Sequence, residues 1–133
     1  MEEEPLYPLA DIQAALDEGG VEVPHGRDLN RLLGIFETAV SVQEFAERVI
    51  LELRAGCFYK VQRKDESFQY DAYGITLCDD VVERFQLTER RHWYVGVQLS
   101  RNRAGRTCLL VSIHEPDRDM RCRDGKTVPG GEE

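Results

Sequence analysis

Nowhere in the 133 residues does an apolar run approach the roughly 18 needed to span a bilayer, so no transmembrane helix is expected. The N-terminus, Met1-Glu2-Glu3-Glu4-Pro5, is acidic where a secretory signal is basic and then apolar. It argues against export and for a cytoplasmic location. The four cysteines lack metal-ligand spacing: Cys57, Cys78, Cys108 and Cys122 stand 21, 30 and 14 positions apart and form no CxxC pair. Reduced, mostly structural thiols are the expectation, and neither a metal nor a cofactor is called for. A nucleophilic cysteine needs a cationic neighbour, and Cys57 with Lys60 nearby is a weak case of one.

What is present bounds the fold. An apolar share of 41% and a charged share of 32% belong to a globular chain, and the length suits one layered core. The net charge of −8 is unevenly spread. Residues 1–52 carry twelve acidic and three basic side chains, a balance of −9, and residues 53–133 carry thirteen and fourteen, a balance of +1. Between positions 84 and 106, Arg84, Arg90, Arg91, Arg101, Arg103 and Arg106 face only Glu89, a local balance of +5. Arginines sharing one face would attract a phosphate-bearing ligand; arginines on a solvated strand edge would instead guard against aggregation.

Hydrophobic periodicity predicts helices first and strands second. Leu9, Ile12, Ala15 and Leu16 recur at helical spacing before the stop signal Gly19-Gly20. After an extended Val21-Glu22-Val23-Pro24, Asp28 is placed to cap a second short helix carrying Leu29, Leu32, Leu33 and Phe36, with Gly34 inside it. Ser41-Val42-Gln43-Glu44 reads as a capping box opening a third helix, whose stripe of Val42, Phe45, Val49, Ile50 and Leu53 continues to about Arg54. Beyond Gly56 the period becomes two. Phe58 to Gln62 and Phe68 to Tyr73 form one predicted hairpin, and His92 to Ser100 and Thr107 to His114 a second. The stretch Cys78 to Leu87 suits either a helical turn or an irregular strand. The expected architecture is α+β: two or three N-terminal helices on a small twisted antiparallel sheet, a single domain over residues 1–116. Residues 117–133 lack apolar periodicity and are expected to form a loose tail.

Tyr7-Pro8-Leu9, Ile12, Gly20-Val21, Leu33-Gly34 and Phe58-Tyr59-Lys60 are followed along the chain by Gln69-Tyr70-Asp71-Ala72-Tyr73, Trp93-Tyr94-Val95 and Val111-Ser112-Ile113-His114-Glu115. In their order these stretches together resemble the MqsR-type messenger-RNA interferases of bacterial toxin-antitoxin pairs, the last three looking like that family's later strands, the first of those with one residue inserted. The resemblance covers about residues 7–115 and implies a RelE-like fold, metal-independent cleavage of single-stranded messenger RNA to 2′,3′-cyclic phosphate ends, and a cognate antitoxin partner. It nominates Lys60, Gln69, Tyr94 and His114 as catalytic, with His114 standing where the family has lysine and Gly96 where a basic residue commonly follows the aromatic strand.

The chemistry itself asks for three roles: removing the 2′-hydroxyl proton, stabilising charge on the phosphorane-like transition state, and protonating the departing 5′-oxygen. His114 is the best acid, since imidazole titrates near neutrality. Lys60 can hold charge on the phosphate or, if buried, act as a base. Tyr94 or Gln69 can orient the 2′-hydroxyl, with Arg63, Arg91, Arg101, Arg103 or Arg106 as further RNA contacts. Tyr59, Tyr70, Tyr73 and Trp93 offer rings for unpaired bases, or pack in the core. Only one of Trp93 and Tyr94 should face inward. His25 reads as a loop residue and His92 as a reserve proton donor. The competing expectation is a non-catalytic module of the same fold whose acidic helical half grips a basic protein.

Overall fold

Side chains of helix α1 (Leu9–Glu18), helix α2 (Arg27–Phe36) and helix α3 (Ala39–Glu52) cover one face of a five-stranded sheet. The computed structural model describes residues 4–24, 26–63 and 69–131. Its sheet runs β1-β5-β4-β3-β2, built from β1 (Val21–Glu22), β2 (Phe58–Arg63), β3 (Gln69–Thr76), β4 (His92–Arg101) and β5 (Thr107–His114). The architecture is therefore mixed α+β. Of the first predicted hairpin, residues 64–68, its turn and Phe68, lie outside the described residues, as does His25.

Two departures from the expected sheet have simple causes. The sheet has five strands rather than four and is not wholly antiparallel, because β1 pairs with β5 in parallel, Val21 opposite Leu109. Gly20, at φ 82°, turns the chain out of α1 in a conformation glycine adopts freely, and its carbonyl accepts from Leu109 N at 2.9 Å. A two-residue strand has no period for a sequence to display. The ambiguous stretch after Cys78 contains a short helix, α4 (Asp79–Arg84), which buries Val81 and Val82.

The helices begin at other residues than those expected. Helix α3 starts two residues before Ser41, and Thr38 is its cap, accepting from Ser41 N at 3.1 Å. Gly26 stands at the N-cap of α2, while Asp28 lies in the first turn and accepts a hydrogen bond from the Ser112 hydroxyl. Inward, Ile12, Leu32, Phe45, Val49 and Ile50 meet Tyr73, Trp93, Val95, Leu109, Val111 and Ile113, all nearly inaccessible. Each such side chain contributes about 1.5–3 kcal/mol by its burial. Trp93 points inward and donates Nε1–H to the Arg90 carbonyl at 2.8 Å, so Tyr94 faces the other side, as strand alternation requires. Asp71, fully buried, accepts from Leu6 N at 2.8 Å and Tyr7 N at 3.0 Å, which ties the N-terminal segment to β3.

Residues 117–131 carry regular structure where a loose tail was expected. They contain a hairpin of β6 (Met120–Arg121) and β7 (Thr127–Val128). Met120, Cys122 and Val128 form a second small core with Tyr59 and Tyr94 on the sheet face away from the helices. Arg123 N and Asp124 N donate to the carbonyls of Phe58 and Gly56 at 2.8 and 3.1 Å. Gly74 makes the seat. A Cβ there would press on Cys122 Sγ, Met120 Cε and Val128 Cγ2 at 3.1–3.2 Å. Three buried residues spaced 120, 122 and 128 are too sparse to register as a period, which is why the sequence reads as loose. Among the described residues no helix is long and apolar enough to cross a membrane.

Candidate active site

The face of the sheet opposite the helices carries the site. Two cross-strand rows define it: Lys60, Ala72, Gly96 and Ser112 are successive partners across β2, β3, β4 and β5, and Gly74, Tyr94 and His114 form the next row. Ala72 and Gly96 keep the floor low between the longer side chains. At Gly96 the ring of Tyr70 lies directly on the backbone, with an added Cβ meeting it at 2.7 Å. A hollow of about 340 Å³ results, lined by Lys60, Tyr94 and His114 together with Tyr59, Gln62 and Tyr70. Asp117, Arg118 and Met120, from the segment leading into the tail hairpin, close its remaining side.

A bulge in β2 is what brings two consecutive residues to one hollow. Phe58 pairs with Tyr73 and Lys60 with Ala72, so Tyr59 is an extra residue without a register partner. In a regular strand Tyr59 and Lys60 would point to opposite faces; the bulge re-aims them. Lys60 is exposed, with Nζ 5.2 Å from the centre of the Tyr59 ring, an exposed cation–π contact.

His114 is held at two points. Its ring stacks on Tyr94 at a centroid distance of 4.5 Å and an interplanar angle of 15°. Its Nδ1 lies 2.7 Å from the carbonyl oxygen of Glu115, which can only accept, so Nδ1 carries hydrogen and Nε2 is the position left for exchange. Tyr94 donates its hydroxyl hydrogen to Tyr70 Oη at 3.3 Å. Burial first, and then that hydrogen bond, push the Tyr94 phenol far above its ordinary value. Tyr94 is therefore a neutral phenol at any physiological pH and supplies no phenolate base.

The structure brings three of the four nominated catalytic residues together and leaves the fourth out. Gln69 pairs with Arg63 at the far end of the β2–β3 ladder, and alternation puts its side chain on the face of Asp71, away from the hollow. Tyr70, one position on, takes the place in the hollow expected for Gln69. The arginines separate too. Arg101, Arg103 and Arg106 cluster at the β4–β5 turn, where Arg101 NH1 donates to Gly105 O at 3.0 Å. Seven residues of strand between Tyr94 and Arg101 amount to roughly 23 Å, so these arginines cannot reach a phosphate in the hollow. Arg91 bridges Asp79 at 2.9 Å, Arg90 bridges Glu115 at 3.3 Å, and His92 Nδ1 is 2.9 Å from Thr76 Oγ1. The cation that does join Lys60 is Arg118, from a segment the sequence had given no role.

The four cysteines are all free thiols: Cys108 and Cys122 are buried, Cys57 is half-buried and Cys78 is exposed, and burial pushes Cys57, Cys108 and Cys122 up, the last to about 11. Comparison with known family models, with curated proteins and with solved structures finds no match to this chain.

Proposed function

We propose that the protein is a metal-independent endoribonuclease acting on single-stranded RNA, of the MqsR type with a RelE-like fold, and restrained by an antitoxin-like partner. The observation that carries this reading is the meeting of Lys60, Arg118, Tyr94 and His114 in one hollow of about 340 Å³ bordered by tyrosine rings. In this reading the phosphate lies between Lys60 and Arg118, whose cations offset charge growing on its non-bridging oxygens. The Asp117 carboxylate takes the 2′-hydroxyl proton as the 2′-oxygen attacks phosphorus. The bond to the 5′-oxygen breaks, and His114, protonated on Nε2, gives that oxygen its proton. The products are a 2′,3′-cyclic phosphate and a free 5′-hydroxyl. Tyr94 fixes the imidazole by stacking and takes no proton, and Tyr59 and Tyr70 offer faces to the flanking bases.

The test is direct. Purified protein incubated with single-stranded RNA in EDTA is expected to give cyclic-phosphate ends. His114→Ala is expected to lower the rate by about 10²–10⁴, the usual contribution of a general acid. RNA left intact by pure, folded protein would refute the reading and favour a binding module instead. The acidic helical half, with its balance of −9 over residues 1–52, is the feature such a module would use.

A further inference from the structure

Beside the reactive hollow, and sharing Tyr70 and His114 with it, lies a second depression of about 480 Å³ that the proposed chemistry leaves unused. Val23, Pro24 and Val111 line it, Asp28 and Ser112 supply polar groups on its floor, and the exposed Arg27 stands at its rim. The depression shares Pro24, Tyr70, Val111 and Ser112 with a neighbouring apolar recess that Gly96, Gln98 and Leu110 complete. Ser112 and His114 are two apart on β5, so the Ser112 end of the depression lies roughly 6.6 Å along the strand from His114, about the reach of one sugar. The Tyr70 ring, laid flat on Gly96, forms the ridge between the two hollows.

We infer that this depression binds the base of a nucleotide adjoining the cleaved bond, and that it selects bases bearing an exocyclic amino group over uracil. The inference rests on the ribonuclease reading for its placement, and its own content comes from Asp28. A carboxylate accepts hydrogen bonds and donates none. One oxygen of Asp28 is engaged by the Ser112 hydroxyl, which fixes the group's orientation and leaves the other oxygen for a ligand. The amino groups of cytosine, adenine and guanine satisfy that oxygen; uracil offers it only one N–H, flanked on both sides by carbonyl oxygens that the carboxylate repels, and so meets it less favourably. Pro24, Leu110 and the Tyr70 ring supply the apolar walls that a base plane needs.

Oligodeoxycytidylate and oligodeoxyuridylate of equal length test this, since neither carries a 2′-hydroxyl to be cut and both carry the same backbone charge, so non-specific phosphate binding cancels. Fluorescence anisotropy is expected to show the cytidine oligomer bound about tenfold or more tightly, as for a hydrogen bond to a charged acceptor. The isosteric Asp28→Asn is expected to bring the two within about twofold, because an amide can present either its oxygen or its NH₂. Ser112→Ala, which frees the carboxylate, should keep the preference. Equal binding by the unaltered protein, or a preference that survives Asp28→Asn, overturns the inference. Cleavage of the matching ribo-oligomers separates the two readings: preference without cutting leaves the base site and removes the nuclease, and cutting without preference does the reverse.

Discussion

Replacing Met120 by alanine perturbs the small core without touching the large one, and the structure gives the size of the effect. Met120 is 1% exposed and belongs to a cluster whose other buried members are Cys122 and Val128, with Tyr59 and Tyr94 packed against it. Truncating a buried methionine costs about 2–5 kcal/mol, with the cavity term included. The large core shares no buried member with this cluster, so the loss falls on local opening of the β6–β7 hairpin rather than on the sheet. In native-state hydrogen exchange, the amides of Cys122, Arg123 and Asp124, which donate to Lys126, Phe58 and Gly56, are expected to exchange about 30-fold to a few thousand-fold faster. The amides of Val95 and Ile113, paired across β4 and β5, are expected to keep their rates. Opening also withdraws Asp117 and Arg118, so RNA cleavage should weaken while His114 stays in place. Uniform loss of protection across all these amides would refute the separation of the two cores. Unchanged rates throughout would refute the packing of Met120.

Two further outcomes follow from burial of ionisable groups. The Tyr73 phenol is pushed up from 10.0 to about 12, chiefly by desolvation and then by the charge of Asp71. A group raised on folding keeps its contribution below the unfolded value and loses it as pH climbs toward the folded one. The thermal midpoint is therefore expected to be unaffected by this phenol below pH 10 and to fall between pH 10 and about 12, a loss of at most about 2.7 kcal/mol from this group. Tyr73→Phe together with Tyr94→Phe should flatten that fall, and an equally steep fall in the double variant would remove these two phenols as its cause. Among the thiols, Cys78 is exposed, Cys57 is half-buried with its thiol pushed up by burial, and Cys108 and Cys122 are buried, so a disulfide reagent at neutral pH should find one fast site, abolished by Cys78→Ser. Fast reaction of Cys122 would contradict the seating of the tail hairpin on Gly74.

How much of this was legible before the fold was known depends on whether the signal is periodic or positional. Helix α3 and strands β4 and β5 were readable because their apolar residues repeat, at 3.6 in Phe45, Val49 and Ile50 and at two in Trp93, Val95 and Val97. The cap of α3 was misread because Ser41 and Glu44 mimic a capping box, while Thr38, three positions earlier, has the extended backbone a cap requires, φ −127° and ψ 151°. Strand β1 and the tail hairpin are too short to show a period, and both are specified instead by what they lie against: Leu109 for one, Gly74 for the other.

The same distinction decides the site. Chemistry and resemblance nominate Lys60, Tyr94 and His114, and alternation alone then puts Tyr94 and His114 on one face, because they are cross-strand partners. Nothing in the chain announces the bulge at Tyr59, yet without it Lys60 could share that face only if Tyr59 left it. For the residues 69 and 70 a shift of one position exchanges glutamine for tyrosine in the hollow, the sensitivity that a period of two always carries. Arg118 was missed for a different reason: its segment has no periodicity, and its place at the hollow depends on Met120 two residues further on being buried. The small core of the tail is thus the element that assembles the anion-holding side of the proposed site. It follows that the Met120→Ala variant should lose affinity for single-stranded RNA even where the large core, measured by the protection of β4 and β5, is intact.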